Sequence, residues 1–226
     1  MISLIKSLIK ALEPPLPGDA AHAFMAPSVR FTGTEPPDPL KARQSSVLIL
    51  LYPSGENFSV PFIQRTDYPG VHGGQISLPG GKCEPGDQSF WDTALRETRE
   101  ELGVDTDDVA FLGQLSPLFI PNSNFVVYPQ VGYLNQVPDF IPNSTEVAEV
   151  FQVPLATFFD SANIHRFTRQ VNGYSIEAPY YAVDGRQIWG ATAMILSELV
   201  VALRLKAPDL ISALHFCNDH TFQESP

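Results

Sequence analysis

Apolar segments of strand length dominate the middle of the chain. Residues 46–53 and 60–65 are two such segments, and the polar turn 54–57 between them predicts a hairpin. Further strands are predicted over 109–120 and 124–134. A second hairpin is indicated farther on, where an Asn-Gly pair interrupts the strand pattern.

Helical patterns are interspersed among these strands. The first twelve residues predict a short amphipathic helix, residues 90–102 an acidic helix, and residues 190–205 a helix with an apolar face. Residues 145–159 are interpreted as a strand or loop that leads into a short helix. Because strands dominate and helices are interspersed, we expect an α/β (α+β) fold in which helices pack on a mixed sheet.

The length of the chain favours one main domain. A chain of 226 residues can bury one sizeable core, and its 21 prolines indicate many rigid loops. We assign an N-terminal helix and proline-rich connector to residues 1–24, the main domain to residues 25–205, and a C-terminal extension to residues 206–226.

The charge balance argues against several classes of protein. Fourteen basic and 25 acidic residues give a net charge of -11, which disfavours broad electrostatic capture of nucleic acid or of an anionic membrane. An anionic substrate would therefore need a metal ion or a local basic cluster. The longest apolar run, residues 47–52, is too short to span a membrane. Cys83 and Cys217 have no metal-ligand spacing, so a reducing cytoplasmic location fits the sequence.

A glycine-rich loop precedes the acidic helix. Residues 67–87 contain adjacent glycine pairs and little periodicity, and long loops of this kind in compact domains are often functional. Glycines allow backbone amides and carbonyls to approach a phosphate or a metal ion closely. We therefore expect this loop to form part of a binding site.

The acidic helix carries the strongest chemical signal. Ser89 and Asp92 fit an N-terminal capping box, and an apolar stripe on the helix is expected to face the core. At about 100° per residue, Glu97, Glu100 and Glu101 fall on one flank, and we place the helix arginines on the other. Two interpretations follow. In the first, the glutamates form a solvated helix face with ion pairs to neighbouring arginines. In the second, they bind a divalent cation that relieves their mutual repulsion.

These residues resemble the signature of the Nudix hydrolases. That signature has a glycine, then a glutamate, then the core Arg-Glu-x-x-Glu-Glu-x-Gly, and the match here runs from Gly81 through Arg96 to Gly103. The chain departs from it at Asp87, which replaces the first glutamate and stands one residue farther from the core, and at Thr98, which occupies an apolar position. Neither departure touches the three glutamates of the helix.

The preceding residues resemble one branch of that family. The sequence FIQRTDYPGVHGGQISLPGG, residues 62–81, is similar to a motif of the coenzyme A pyrophosphatases. The resemblance implies a Nudix fold, with a mixed β-sheet sandwiched between α-helices. It also implies hydrolysis of the diphosphate of coenzyme A or a derivative to 3',5'-ADP and 4'-phosphopantetheine. Two alternatives stay open: a pyrophosphatase for ADP-ribose or NADH, and a non-catalytic nucleotide-binding module, although such modules usually lose the glutamates.

The resemblance also implies roles for individual residues. It implies that Mg²⁺ or Mn²⁺ is bound by Glu97, Glu101 and Glu100, with the Gly81 carbonyl as a further ligand. Arg96 would orient the glutamates by charge-assisted hydrogen bonds.

The proton acceptor stays open among four carboxylates. Glu97 or Glu100 could serve on the helix itself, and Glu146 or Glu149 could reach in from a loop.

Three residues are candidates for substrate binding. Arg65 and Lys82 flank the glycine loop and bind the diphosphate or the 3'-phosphate of coenzyme A, or else form plain surface ion pairs. His72 lies in the branch motif and either contacts substrate or has a structural hydrogen-bonding role. The expected partner is coenzyme A or a related nucleoside diphosphate derivative, not nucleic acid or membrane, and the sequence leaves a homodimer open.

Other aromatic and thiol side chains are given structural roles. Trp189, Tyr180 and Tyr181 are interpreted as core residues in preference to an adenine-stacking platform. Cys83 is interpreted as a plain loop thiol, because no histidine stands at a spacing that would support a nucleophile.

Overall fold

The structure is a computed structural model that describes most of the chain. The described residues are 2–33, 38–55, 57–66, 74–171 and 173–216. The predictions made for His72, the Asn172 turn position and Cys217 therefore lie outside the described residues. Within the described ranges, none of the helices has the length and apolar character that a membrane crossing requires.

The described residues include an eight-stranded mixed sheet. Its strands are β1 Arg43–Ser54, β2 Asn57–Arg65, β3 Ile76–Ser77, β4 Gly80–Lys82, β5 Ala110–Gln114, β6 Leu118–Ile120, β7 Phe125–Tyr133 and β8 Val147–Pro154. The main path runs β3-β2-β1-β7-β5, with β4 also on β1, β6 on β7 and β8 on β2. Strands β1 and β7 are parallel and the other pairs are antiparallel. The predicted mixed sheet is confirmed.

A second sheet and several helices complete the described fold. The small antiparallel sheet consists of β9 Ile164–Val171, β10 Tyr174–Val183 and β11 Arg186–Trp189. The α-helices are α1 Ile2–Ala11, α2 Asp19–His22, α3 Phe90–Leu102, α4 Gly190–Lys206 and α5 Pro208–Phe216.

Most of the predicted elements are present, with shifted ends. Both predicted hairpins form, as β1–β2 and β9–β10. The strand predicted over 109–120 is two strands, β5 and β6, because its middle residues leave the ladder. The segment 145–159 is strand β8 followed by a 3₁₀ turn at Leu155–Phe159, as expected.

The large sheet lies between helices. Along β1, Leu48 and Leu50 pack with Ala94 and Leu102 of α3 in one buried cluster. Successive side chains of a strand point to opposite faces, so the alternate residues of β1 enter a larger cluster on the other face. That cluster includes Ile49, Leu51, Leu8 of α1, and Leu199 and Leu203 of α4. The expectation that helices cover both faces is confirmed.

The terminal helices share this larger core. Leu8 and Leu12 at the end of α1, and Leu210 and Leu214 of α5, belong to the same buried cluster as the sheet. The division of the chain into residues 1–24, 25–205 and 206–226 stays a prediction, but apolar packing joins all three parts.

A buried polar cluster fixes the N-terminal segment on α4. Glu198 of α4 is fully buried, lies 3.0 Å from Nε2 of the buried His22, and accepts backbone N–H bonds from Gly18 and Ser116 at 3.0 Å. Burial alone would raise the pKa of Glu198, but the bonds from His22 and Ser116 outweigh it and the pKa is lowered. The carboxylate therefore ties the chain before β1 to the helix behind the sheet.

Candidate active site

Strand β4 holds the paired glycines of the loop against the acidic helix. It pairs antiparallel with β1, so that Gly81 lies opposite Ser46. Gly80 has φ +151, and a Cβ there would lie 2.3 Å from the Ser46 carbonyl oxygen. A Cβ on Gly81 would lie 2.4 Å from the carboxyl carbon of Glu97. The first glycine permits the strand pairing, and the second makes room for a carboxylate.

Helix α3 begins and ends where the sequence predicts. The Ser89 hydroxyl accepts the Asp92 N–H at 3.2 Å, and Gly103 closes the helix in a left-handed conformation at φ 66. The Ser89 hydroxyl also donates to the Asp92 carboxylate at 2.9 Å, a local side-chain bond between the two predicted capping residues. These caps fix which turn of the helix faces β4.

Glu101 is the most enclosed carboxylate of the helix. Its side chain is 1% exposed. It accepts the Gly80 N–H at 2.8 Å and a bond from Arg65 Nη1 at 3.1 Å. Burial raises the pKa of Glu101 to about 7, although the Gly80 amide and Arg65 oppose that shift. The negative charges of Glu97 and Glu146 raise it further, so a cation near this group would relieve a real electrostatic cost.

Arg96 lies at the centre of the acidic cluster. Its Nη1 donates to Glu97 at 3.0 Å and to Glu100 at 3.1 Å, and its Nη2 donates to the Lys82 carbonyl at 3.0 Å. The placement of Arg96 on the flank opposite the glutamates is therefore wrong, since Arg96 and Glu100 are four residues apart and lie only about 40° apart around the helix. The orienting role implied for Arg96 agrees with these bonds.

Asp87 explains the departure from the signature. Nε and Nη2 of Arg96 donate to its two carboxylate oxygens at 2.9 and 3.0 Å, and Thr93 and the Glu84 N–H donate to it as well. The Arg96 bond is the largest of the causes that hold the pKa of Asp87 well below its usual range. The shorter side chain is thus an anchor for Arg96, a role that the sequence did not reveal.

The three helix glutamates do not share one partner. Glu97 and Glu100 turn to Arg96, whereas Glu101 turns to Gly80 and Arg65. No three Asp, Glu, His or Cys side chains among the described residues are brought together as a ready ligand set. Burial raises the pKa of Glu97 too. Carboxylate and carbonyl oxygens suit a hard divalent cation, so the donor types fit, and the roles of these residues as ligands stay a prediction.

The two loop glutamates have different surroundings. The loop that ends at Glu146 is docked on α3, because Ile141 donates to the Leu102 carbonyl at 2.8 Å and Asn143 to the Glu101 carbonyl at 3.0 Å. The charge of Glu146 acts on both Glu97 and Glu101. Glu149 instead pairs with Arg186 on the small sheet. Of the two, Glu146 is the one beside the cluster.

A cavity of about 720 Å³ opens beside β4, on the face of the large sheet opposite α3, because Val47 of β1 lines it whereas Leu48 and Leu50 pack with α3. Its walls come from both sheets, the start of α4 and the segment 27–33 that precedes β1. The basic side chains that line it are Arg30, Arg65, Lys82 and Arg169. None of the described lining residues is acidic. The structure brings Arg65 and Lys82 to one cavity, and their role in substrate binding stays a prediction. Arg30 and Arg169 also line the cavity, and the sequence did not point to them.

The aromatic predictions divide. Tyr181 is 2% exposed and belongs to the core, as interpreted. Trp189 lines the cavity instead, with its ring 5.3 Å from that of Phe167 in an edge-on contact. Cys83 is a partly buried free thiol. An indole in the wall of a cavity can stack on a ligand ring, so the preference for a core role of Trp189 over an adenine-stacking role stays a prediction.

Comparisons with known proteins agree with this geometry. A model of the Nudix domain matches residues 42–171, which is more than half of the chain. The chain belongs to the Nudix family. The match covers strands β1 to β9 and includes the acidic helix, so this Nudix hydrolase carries the family signature on α3.

Two relatives and one solved structure show the range of the likeness. The Nudix hydrolase is 37% identical over 176 residues to the mitochondrial coenzyme A diphosphatase of Homo sapiens, with 75% of this chain and 72% of that protein covered. It is 36% identical over 128 residues to an uncharacterized Nudix hydrolase, NudL, of Photorhabdus laumondii, with 57% of this chain and 68% of that protein covered. A MutT/nudix family protein from Enterococcus faecalis has the same fold, with a TM-score of 0.53, 19% identity, and 80% and 70% of the two chains covered.

Proposed function

We propose that this Nudix hydrolase cleaves the diphosphate of coenzyme A or its derivatives, in a divalent-metal-dependent reaction, to 3',5'-ADP and 4'-phosphopantetheine. The observation that carries the proposal is the position of β4, which has a cluster of carboxylates on one side and a basic cavity on the other. The 37% identity with a coenzyme A diphosphatase supports the choice of substrate.

The cavity has the chemistry of a site for an anionic, partly apolar ligand. Its volume lies within the range of about 300–1,000 Å³ that is usual for ligand pockets. Lys82 and Arg65 stand at the β4 side, where a diphosphate would meet the glycine strand. Val47, Ile76 and Met194 line the same cavity and offer apolar surface to the rest of the ligand.

Cleavage of a diphosphate requires positive charge, because the phosphate oxygens repel an attacking water. Glu97, Glu100, Glu101 and the Gly81 carbonyl would hold Mg²⁺ or Mn²⁺, which when bound neutralises phosphate charge and acidifies water. Arg96 keeps Glu97 and Glu100 oriented through its bonds to both and is itself held by Asp87. Arg65 keeps Glu101 in place.

The proton acceptor is best sought among the carboxylates near Glu101. Glu97 has a pKa raised by burial, and Glu146 lies close enough to act on that pKa. We propose Glu146 or Glu97 as the group that accepts the proton of the attacking water, and Glu149 as a structural residue paired with Arg186.

A competition assay tests the proposed function. Purified protein is incubated with Mg²⁺ or Mn²⁺ and an equimolar mixture of coenzyme A, ADP-ribose and NADH, and the products are identified by mass. We expect coenzyme A to disappear first and 3',5'-ADP and 4'-phosphopantetheine to form together. Preferential loss of ADP-ribose or NADH would assign the chain to another nucleoside diphosphate derivative, and no cleavage of any compound would contradict the enzymatic proposal.

The alternative substrates share one supporting observation. The cluster on α3 would act on a diphosphate whatever is attached to it, and Trp189 in the cavity wall can stack on any adenine. Discrimination must therefore come from contacts away from β4.

A further inference from the structure

The basic residues of the cavity stand out against the composition of the chain. Four of the 14 lysines and arginines of the chain line the cavity. None of the 25 aspartates and glutamates is among its described lining residues. The cavity is therefore lined by positive charge, although the whole chain has a net charge of -11. Local potential inside a cavity with low-dielectric walls favours an anionic ligand.

Two of these four cations come from outside the large sheet. Arg65 ends β2 and Lys82 ends β4, both in the large sheet. Arg169 lies on β9 of the small sheet, and Arg30 lies in the segment 27–33 that precedes the Nudix-domain match. The four cations therefore come from four separate segments of the chain, which suits a ligand with more than one anionic group.

The segment 27–33 is held at both ends, so that Arg30 is fixed at the cavity. At one end, Ser28 N–H donates to the Glu177 carbonyl of β10 at 2.8 Å, and the Ser28 hydroxyl accepts the Glu177 N–H at 2.9 Å. At the other end, Thr32 N–H donates to Asn122 Oδ1 at 3.0 Å, next to the large sheet. Arg30 stands between these anchors and donates one bond to the Phe119 carbonyl. A guanidinium has five N–H donors, which leaves others for a ligand.

Arg169 is also positioned without a carboxylate. Its guanidinium lies 5.7 Å from the centre of the Phe167 ring and 6.0 Å from that of Trp189. Cation–π contacts do not consume the hydrogen-bond donors of a guanidinium, so these donors can serve a ligand. Within the described residues, neither Arg30 nor Arg169 takes part in an ion pair.

We infer that Arg30 and Arg169 form a second anion site of the cavity, which binds a phosphate of the substrate that is separate from the diphosphate. For coenzyme A this group is the 3'-phosphate, an identification that rests on the proposed function. Arg65 and Lys82 are then left to the diphosphate. Arg30 and Arg169 are specificity-determining residues, because they select among diphosphates without contacting the bond that breaks.

The test is a binding measurement that needs no catalysis. Isothermal titration of the full chain, without metal, compares 3',5'-ADP with 5'-AMP, which lacks the second phosphate. The variants are Arg30→Gln, Arg169→Gln and the double variant. Arg166→Gln is the matched control, because Arg166 lies on the same strand but pairs with Glu177 at 2.9 Å and does not line the cavity. Thermal denaturation of each variant reports on folding.

We expect the arginine substitutions to weaken the binding of 3',5'-ADP much more than the binding of 5'-AMP. Loss of a charged hydrogen bond should raise the Kd of 3',5'-ADP about tenfold in Arg169→Gln and further in the double variant, while the Kd of 5'-AMP changes less than about twofold. Equal weakening of both nucleotides, unchanged binding of 3',5'-ADP, or a wild type that does not distinguish the two would overturn the inference.

Kinetics separate this inference from the proposed function. In Arg169→Gln the KM for coenzyme A should rise above the wild-type value. The kcat, and the KM for dephospho-coenzyme A, should stay at their wild-type values. A wild type that cleaves no coenzyme A refutes the proposed function, and the nucleotide titrations then still decide whether Arg30 and Arg169 bind a second phosphate. Normal cleavage with unselective titrations refutes only the second anion site.

Discussion

The two sides of strand β4 have opposite charge. On the α3 side, Asp87, Glu97 and Glu100 pair with Arg96, and Glu101 pairs with Arg65. On the cavity side, four cations line a space in which the described residues place no carboxylate. The three-residue strand β4 lies between these regions, and Arg65, which lines the cavity and pairs with Glu101, connects them.

The difference in charge suits the two regions to ligands of opposite charge. Burial raises the pKa of Glu97 and Glu101, because it disfavours their negative charges. A further cation on the acidic side would stabilise these charges. The cavity is suited to an anion. Glycine at positions 80 and 81 allows the two regions to approach through a strand without side chains between them.

The largest effect is expected at the most buried carboxylate. Glu101→Gln should lower metal-dependent hydrolysis at least about a thousandfold, because the amide can still accept the Gly80 N–H but cannot supply negative charge. Stability should hold, since a costly buried charge is removed. Steady-state kinetics and urea denaturation measure the two effects. Glu149→Gln, outside the cluster, is the control, and near wild-type turnover of Glu101→Gln would refute the role.

A smaller loss is expected at the loop carboxylate beside the cluster. Glu146→Gln should lower kcat about a hundredfold if Glu146 accepts the proton. Glu149→Gln should leave kcat unchanged, because Glu149 pairs with Arg186. The pH dependence of kcat for both variants checks this assignment. If Glu146→Gln keeps full activity, the proton acceptor is on the helix.

The glycine that separates the two sides can be tested with one methyl group. A Cβ at Gly81 would lie 2.4 Å from the Glu97 carboxyl carbon, whereas nothing lies within 4 Å of a Cβ at Gly86. Gly81→Ala should therefore displace the Glu97 carboxylate and lower kcat about tenfold with little loss of stability. Gly86→Ala should match the wild type. Equal kcat for the two variants would show that the position of Glu97 is not critical.

The smallest effect concerns stability on the acidic side. Arg96→Met leaves the buried Asp87 carboxylate without its two-bond partner and should lower the free energy of unfolding by about 2 kcal/mol. Arg99→Met removes an exposed pair with Asp107 from the same helix and should cost less than about 0.5 kcal/mol. Urea denaturation measures both. Similar losses would mean that Arg96 is an ordinary surface residue.

Local signals in the sequence predicted helix α3 with its two ends. The Ser89 cap and the Gly103 terminus lie within the helix segment itself, and the apolar spacing set which face of α3 packs on the sheet. Strand β4 was missed, because three residues with two glycines show no strand pattern and are extended only by pairing with β1. The position of Arg96 was also wrong, because residues four apart on a helix lie on the same side, about 40° from each other, and Arg96 stands four residues before Glu100.

The cavity side could not be assembled from the sequence. Arg30 and Arg169 are far apart in the chain, and they line one cavity only because β10 and the residues around Asn122 anchor the segment 27–33. Neither arginine lies in a recognisable motif. Tertiary contacts alone give them a shared role.

The most direct test of opposite charge on the two sides is a crossed binding measurement. Calorimetry measures Mn²⁺ binding and 3',5'-ADP binding separately, on wild type, Glu101→Gln and Arg169→Gln. The account predicts that Glu101→Gln weakens Mn²⁺ at least about tenfold and leaves 3',5'-ADP unchanged, and that Arg169→Gln does the reverse. Loss of both ligands in either variant, or of neither, would contradict it.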